Sequence, residues 1–129
     1  MGGMTDSAEI RFTIHPRERI VEIIYPERPS LEAFERYERK LREAVVAMRM
    51  QFDCIVDQRA PILASPELTE RMVALTRWAA ANGMRRLVRV IAKSPSAALQ
   101  VARITKEAKI TVPVHAVETR EEAFAWLKG

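Results

Sequence analysis

The run FDCIVD, residues 52–57, carries the strongest structural signal in this sequence. It is apolar over most of its length and ends in an acid, Asp57. Such a run is typical of a strand that is covered on both faces, as in a parallel sheet. Cys54 is the one cysteine of the chain and lies inside this run, which predicts a buried structural thiol. We therefore expect a central strand here.

The sequence before this strand predicts a hairpin followed by a helix. EIRFTI (9–14) alternates polar and apolar residues, RIVEIIY (19–25) forms a second strand, and the turn at 15–18 contains a proline. Ser30 is a good N-cap for the first helix. Its apolar stripe repeats at helical spacing and consists of Leu31, Phe34, Tyr37, Leu41, Ala44, Val45 and Met48.

The sequence after the central strand alternates between helices and strands. A second helix, ended by Asn82-Gly83, has an inward face of Leu68, Met72, Leu75 and Ala79, widened by Val73 and Thr76. RLVRVIA (86–92) is the next strand. A third helix opens at Lys93-Ser94-Pro95, with Ala98, Val101, Ala102, Thr105 and Ala108 expected to face inward.

The C-terminal segment predicts an edge strand and a short helix. Residues 112–117 form the strand, and Pro113 at its beginning is typical of a sheet edge. Thr119 and Glu122 have the spacing of a capping box, after which Ala123, Phe124 and Leu127 dock on the sheet.

The element order is therefore ββαβαβαβα, which predicts a single α/β domain. We expect a mixed, mostly parallel five-stranded sheet with four helices over residues 9–129, and a disordered N-terminal tail over residues 1–8. No repeat or linker interrupts the pattern of this 129-residue chain.

Charge and hydropathy exclude several classes of protein. The net charge of +4 is mild, and arginine alternates with glutamate, as in ERYERKLRE (35–43), so we expect a solvated helix face and no nucleic acid. No apolar run is long enough to span a membrane and no secretory signal is visible, which favours a cytoplasmic protein.

A candidate site lies where the parallel strands end, since ligands of open α/β sheets tend to bind beyond the carboxyl ends of the strands. Segments 25–30, 57–65 and 93–96 are expected to meet there. Ser65-Pro66 and Ser94-Pro95 offer helix N-termini, while Arg59 and Lys93 could supply positive charge. Serine followed by proline is also simply a common way to begin a helix.

Signals for catalysis, a metal or a cofactor are absent from the sequence. His15 and His115 have no second ligand at a suitable spacing, and four glycines leave no room for a phosphate-binding fingerprint. A phosphoacceptor role for Asp57, as in receiver domains, also needs an acidic pair after an earlier strand and a lysine after the last strand. Both are missing here, so we predict no enzyme.

Four stretches resemble the STAS domains, which have the anti-sigma-factor-antagonist fold, and in particular stand-alone bacterial STAS-like proteins grouped with SEC14-type lipid-binding domains. They are RFTIHPRERIVEIIY, FDCIVDQRAPI, ANGMRRLVRVIAKSPSAALQVARI and VHAVETREEAFAWL, and they cover nearly the whole chain. The resemblance implies a regulatory binding domain that is not an enzyme, with a protein partner such as a kinase or a sigma-factor regulator.

In the antagonist family a serine just after the central strand is phosphorylated, which acts as an electrostatic switch. Asp57 matches the acid of that motif, whereas Gln58, Arg59 and Ala60 provide no acceptor hydroxyl. Ser65 occupies the same region and is the remaining candidate phosphoacceptor.

The loop PILA, residues 61–64, is unusually apolar and precedes the second helix, a combination that often marks a contact surface. It could bind a protein partner, a second copy of the chain, or a lipid or other apolar small molecule, or Ile62 and Leu63 could fold back over the end of the sheet. The candidate binding residues are Asp57, Arg59, Ile62, Leu63, Ser65, Arg71 and Lys93.

Overall fold

A computed structural model describes residues 9–58, 62–91 and 95–128 of the chain. Five strands and four helices follow one another in the predicted order ββαβαβαβα. They are β1 (Arg11–His15), β2 (Ile20–Ile24), α1 (Leu31–Met48), β3 (Phe52–Asp57), α2 (Pro66–Ala81), β4 (Met84–Val90), α3 (Pro95–Ala108), β5 (Val114–Val117) and α4 (Arg120–Lys128).

The strands form one mixed sheet in the spatial order β1-β2-β3-β4-β5. β1 and β2 are the antiparallel hairpin, and every later pair is parallel, so β3 lies in the middle of the sheet. All six residues of β3 are buried, as expected for a strand covered on both faces. The predicted fold class, a mostly parallel five-stranded α/β sheet with four helices, is confirmed.

Two cores separate the helices into two layers. The larger core packs the apolar stripes of α1, α2 and α3 against one face of the sheet, around Phe34, Leu41, Met72 and Ile104. The smaller core lies on the other face, where α4 contributes Ala123 and Leu127. Helices on both faces therefore shield the central strands from water.

Short-range rules set the ends of several helices. The hydroxyl of Ser30 accepts a hydrogen bond from the amide of Ala33, and Thr119 and Glu122 form the predicted reciprocal capping box. Gly83, at φ +113°, takes the positive φ after α2, and a Cβ there would come within 3.2 Å of the carbonyl oxygen of Met50.

The predicted face of α3 was partly wrong. Ala98 and Ala102 are exposed, and Ile104, which was not predicted, is buried beside Val101 and Ala108. The buried stripe steps by three and four residues along 101, 104 and 108, which is the spacing of one helix face. Alanine side chains are small enough for either face of a helix, so the alanines predicted the wrong buried face for α3. The larger apolar side chain of Ile104 marks the face that is buried.

Element boundaries moved by one to three residues from those predicted. β4 begins at Met84 and not at residue 86, because Phe52 of β3 already pairs with Met84 before an irregularity in the register. β5 begins at Val114, after Pro113, whose carbonyl accepts from the amide of Leu87. The predictions for residues 1–8 and for Lys93-Ser94 lie outside the described residues.

Candidate binding site

The candidate site is built at the carboxyl ends of β2, β3 and β4. Asp57, the last residue of β3, is buried. The side chains of β3 point alternately to the two faces of the sheet. Ile55 faces α4 in the smaller core, and Val56 faces α1 to α3 in the larger one. By this alternation Asp57 belongs to the α4 face, away from the loop that follows it.

The described part of the apolar loop, residues 62–65, is held to the rest of the domain by hydrogen bonds. The side-chain amide of Gln100, on α3, accepts from the backbone N–H of Ile62 at 3.0 Å and donates to its carbonyl at 2.7 Å. The N–H of Leu63 donates to the carbonyl of Glu27 at 2.7 Å. Three hydrogen bonds, two from α3 and one from the segment before α1, thus fix the backbone of this loop.

Ile62 and Leu63 differ sharply in exposure. The side chain of Ile62 is buried in the larger core, which removes it from any contact surface of the folded protein. Leu63 stays 48% exposed, and Leu99, next to Gln100 on α3, is 72% exposed. Each residue of the hydrogen-bonded pair Ile62–Gln100 therefore has an exposed leucine next to it in the chain, Leu63 and Leu99.

Ser65 is the N-cap of α2. Its hydroxyl accepts from the amide of Leu68 at 3.1 Å, and Pro66 takes the first helical position. The side chain of Ser65 is exposed, so the sequence prediction of a helix cap is confirmed, and its role as phosphoacceptor stays a prediction.

Arg71 joins α2 to α1. Its guanidinium donates to Glu35 at 2.8 Å and to Glu38 at 3.4 Å, and Glu38 also accepts from Arg42. The guanidinium of Arg42 lies over the ring of Trp78 of α2, 4.8 Å from its centroid. Arg71 is thus a structural link between helices and does not lie beside Asp57. Arg59 and Lys93, the other predicted cations, lie outside the described residues.

Sequence reasoning missed the most unusual polar contact of the interior. Arg89 of β4 is 3% exposed and Gln58, just after β3, is 1% exposed. Nη1 of Arg89 donates to Oε1 of Gln58 at 2.6 Å. The signal was present in the sequence, because residues 87 and 89 of a strand share a face and Leu87 is an obvious core residue.

A cavity of about 40 Å³ lies beside Arg89, between the sheet and helices α1 and α2. Its walls are mostly apolar side chains of the sheet and of α1, α2 and α3, together with Tyr25, Tyr37, Cys54 and Thr76. Tyr25 and Tyr37 contact each other edge to face and share a hydrogen bond. Burial raises the pKa of both phenols, and it raises the pKa of the Cys54 thiol to about 12.

Within the described ranges, no group of three His, Cys, Asp or Glu side chains could hold a metal ion. None of the helices in the part of the chain that the structure describes is long and apolar enough to cross a membrane. Comparisons with protein-family models, with curated proteins and with solved structures find no match to this chain.

Proposed function

We propose that this chain is a non-enzymatic, STAS-like regulatory domain that binds a protein partner through the loop and helix after its central strand. The observation that carries the proposal is Leu63, an exposed leucine on a loop whose backbone is held by Gln100 and Glu27. A contact group that is already fixed loses little conformational entropy on binding, so its burial contributes more to affinity.

The surface that we call the loop–α2 surface comprises Leu63, Ser65 and the exposed first turn of α2, with Leu99 at its margin. Its exposed residues are apolar at Leu63 and Pro66 and polar at Ser65 and Glu67, and protein interfaces contain such a mixture. Arg71 lies at the α1 side of this surface, but its ion pairs with Glu35 and Glu38 occupy it within the fold.

Photocrosslinking in the native host tests this proposal. A photoreactive amino acid replaces Leu63 in one variant and Val46 in another; Val46 is a matched control because it is 62% exposed on α1. We expect one discrete crosslinked protein at position 63 and none at position 46. Equal labelling at both positions, or none at either, contradicts the proposal.

A phosphorylation-switched version of the same function places the phosphate on Ser65. A dianion there would sit at the N-terminus of α2, where the helix dipole and free N–H groups favour negative charge. Phosphopeptide mapping of protein purified from its host tests this version. If the peptide that contains Ser65 is found only without phosphate, the phosphorylation switch is contradicted and partner binding without it remains.

A second candidate function is a small-molecule carrier, which the cavity beside Arg89 favours. An acyl lipid would need a far larger cavity than about 40 Å³. Native mass spectrometry of protein from its own host checks for a lipid adduct, and a clean apo mass argues against that role.

A further inference from the structure

The guanidinium of Arg89 is a buried charge without a counter-charge among the described residues. Its Nη1 is bonded to Gln58, its Nε is buried without a hydrogen-bond partner, and no carboxylate of the described residues pairs with it. Burying a lone charge is costly unless a partner compensates for it. Such a residue therefore calls for a compensating group.

Around Arg89, the buried polar atoms of the described residues that lack a hydrogen-bond partner are donors. Besides Nε of Arg89, the Nε2 of Gln58 is buried and makes no hydrogen bond. Exchanging the positions of Oε1 and Nε2 of Gln58 would not satisfy these donors, because a guanidinium only donates and must face the amide oxygen. Two unsatisfied donors beside a positive charge select a ligand that offers acceptor atoms and negative charge.

Neighbouring side chains of the described residues do not supply that charge. Tyr25, Tyr37 and Cys54 interact electrostatically with Arg89, but burial raises the pKa of each of them, that of Cys54 to about 12. All three are therefore neutral at pH 7. None of the described neighbours therefore supplies a negative charge to Arg89.

The cavity sets the size and polarity of a ligand. Arg89 lines it together with apolar walls that include Val21, Leu41, Met72 and Leu75. Since one water needs roughly 10–15 Å³ of such space, about 40 Å³ accommodates a compact group of several non-hydrogen atoms. One guanidinium balances one charge, and apolar walls disfavour a second.

We propose that Arg89, held by Gln58, binds the carboxylate of a small monoanion whose apolar body fills this cavity. The carboxylate would accept from Nε of Arg89, so that this buried donor gains a partner in a charge-assisted contact. This site is separate from the loop–α2 surface, and the inference does not depend on partner binding.

Thermal unfolding and calorimetry with defined probes test the ligand class. Acetate, propionate and butyrate are the monocarboxylates; propanol and butanol are the neutral controls, with inorganic phosphate and laurate as alternative anions. We expect at least one of the small acids, at about a hundredfold excess over its Kd, to raise Tm by about 5 °C or more. The neutral controls, phosphate and laurate should bind at least about tenfold more weakly.

Arg89→Met, which keeps the length and removes the charge, should weaken binding of that acid at least tenfold. Arg103→Met is the matched control, because Arg103 is exposed on α3, and it should bind like the wild type. Wild-type NMR keeps the proposal testable if Arg89→Met does not fold, since the Nε–H resonance of Arg89 should shift on binding.

The proposal would be overturned if no small acid has an effect, if the neutral alcohols bind equally, if folded Arg89→Met still binds, or if phosphate or laurate binds preferentially. Weakened binding in Arg103→Met would also contradict it, because general charge and not the buried site would then be responsible.

Discussion

Ile62 and Gln100 are bound to each other through both backbone polar groups of Ile62 and the side-chain amide of Gln100, at 3.0 and 2.7 Å. This contact connects the loop after the central strand to α3, 38 residues further along the chain. It fixes the position of Leu63 without using any atom of Leu63's side chain. The rigidity of the loop–α2 surface therefore depends on a residue that lies outside it.

Gln100→Ala should loosen this loop without removing an exposed apolar group. The change leaves the backbone N–H and carbonyl of Ile62 without their described partners, so we expect a loss of about 1–3 kcal/mol in the free energy of unfolding. Hydrogen exchange should be faster at Ile62 than in the wild type. An unchanged exchange rate at Ile62 would show that the side chain of Gln100 does not hold the loop.

Ser65→Ala should cost about 1 kcal/mol of stability, because the amide of Leu68 loses its capping oxygen. Ser65→Asp should lie within about 0.5 kcal/mol of the wild type, since aspartate is also a good N-cap. Urea unfolding of the three proteins measures both differences. Equal losses in the two variants would contradict the capping role.

Arg89→Met and Gln58→Leu should have opposite effects on the ligand-free protein. Removing the unpaired buried charge should leave the free energy of unfolding unchanged or raise it by up to about 3 kcal/mol. Removing the acceptor of Arg89 should lower it by about 1–3 kcal/mol, because the guanidinium then loses its bond to Gln58. A strongly destabilised Arg89→Met would mean that the folded protein already compensates this charge.

Acid should weaken the attachment of α4 through Glu22. The hydrogen bond from Arg120 holds the pKa of this buried carboxyl below its usual value of 4.5 against the opposing effect of burial, and His15 adds a second bond at 2.9 Å. A carboxyl with a depressed folded pKa stabilises above its unfolded pKa, and that contribution is lost as pH falls through the folded value.

Glu22→Gln should therefore cost about 1–3 kcal/mol at pH 7 and little below the folded pKa of Glu22. Urea unfolding of the variant and the wild type between pH 7 and pH 2 measures the difference. Glu43→Gln, at an exposed position of α1, is the matched control and should follow the wild type at every pH. A constant difference between Glu22→Gln and wild type across this range would contradict the pKa argument.

The order of elements was predictable because it depends on short-range patterns. FDCIVD is long enough and apolar enough to indicate a doubly covered strand, and Ser30 and Thr119 cap helices through atoms three residues away. The buried face of α3 was predicted wrongly because alanine has little apolar area, so the spacing of alanines is a weak guide to burial.

The interior site was harder to predict because its partners come together only in the folded chain. The residue alternation of β4 was enough to suspect Arg89, but it could not identify Gln58, 31 residues earlier, as the acceptor. The loop has no periodicity either, so nothing in PILA distinguishes the buried Ile62 from the exposed Leu63.

The decisive measurement is the affinity of the partner captured at position 63 for three purified proteins: wild type, Leu63→Asp and Val46→Asp. Both substitutions place a carboxylate on an exposed apolar position, so both variants should fold. We predict that Leu63→Asp weakens binding at least about tenfold, as truncation of an interface hot spot does, while Val46→Asp binds like the wild type. Equal affinities of Leu63→Asp and wild type would contradict partner binding through the loop–α2 surface.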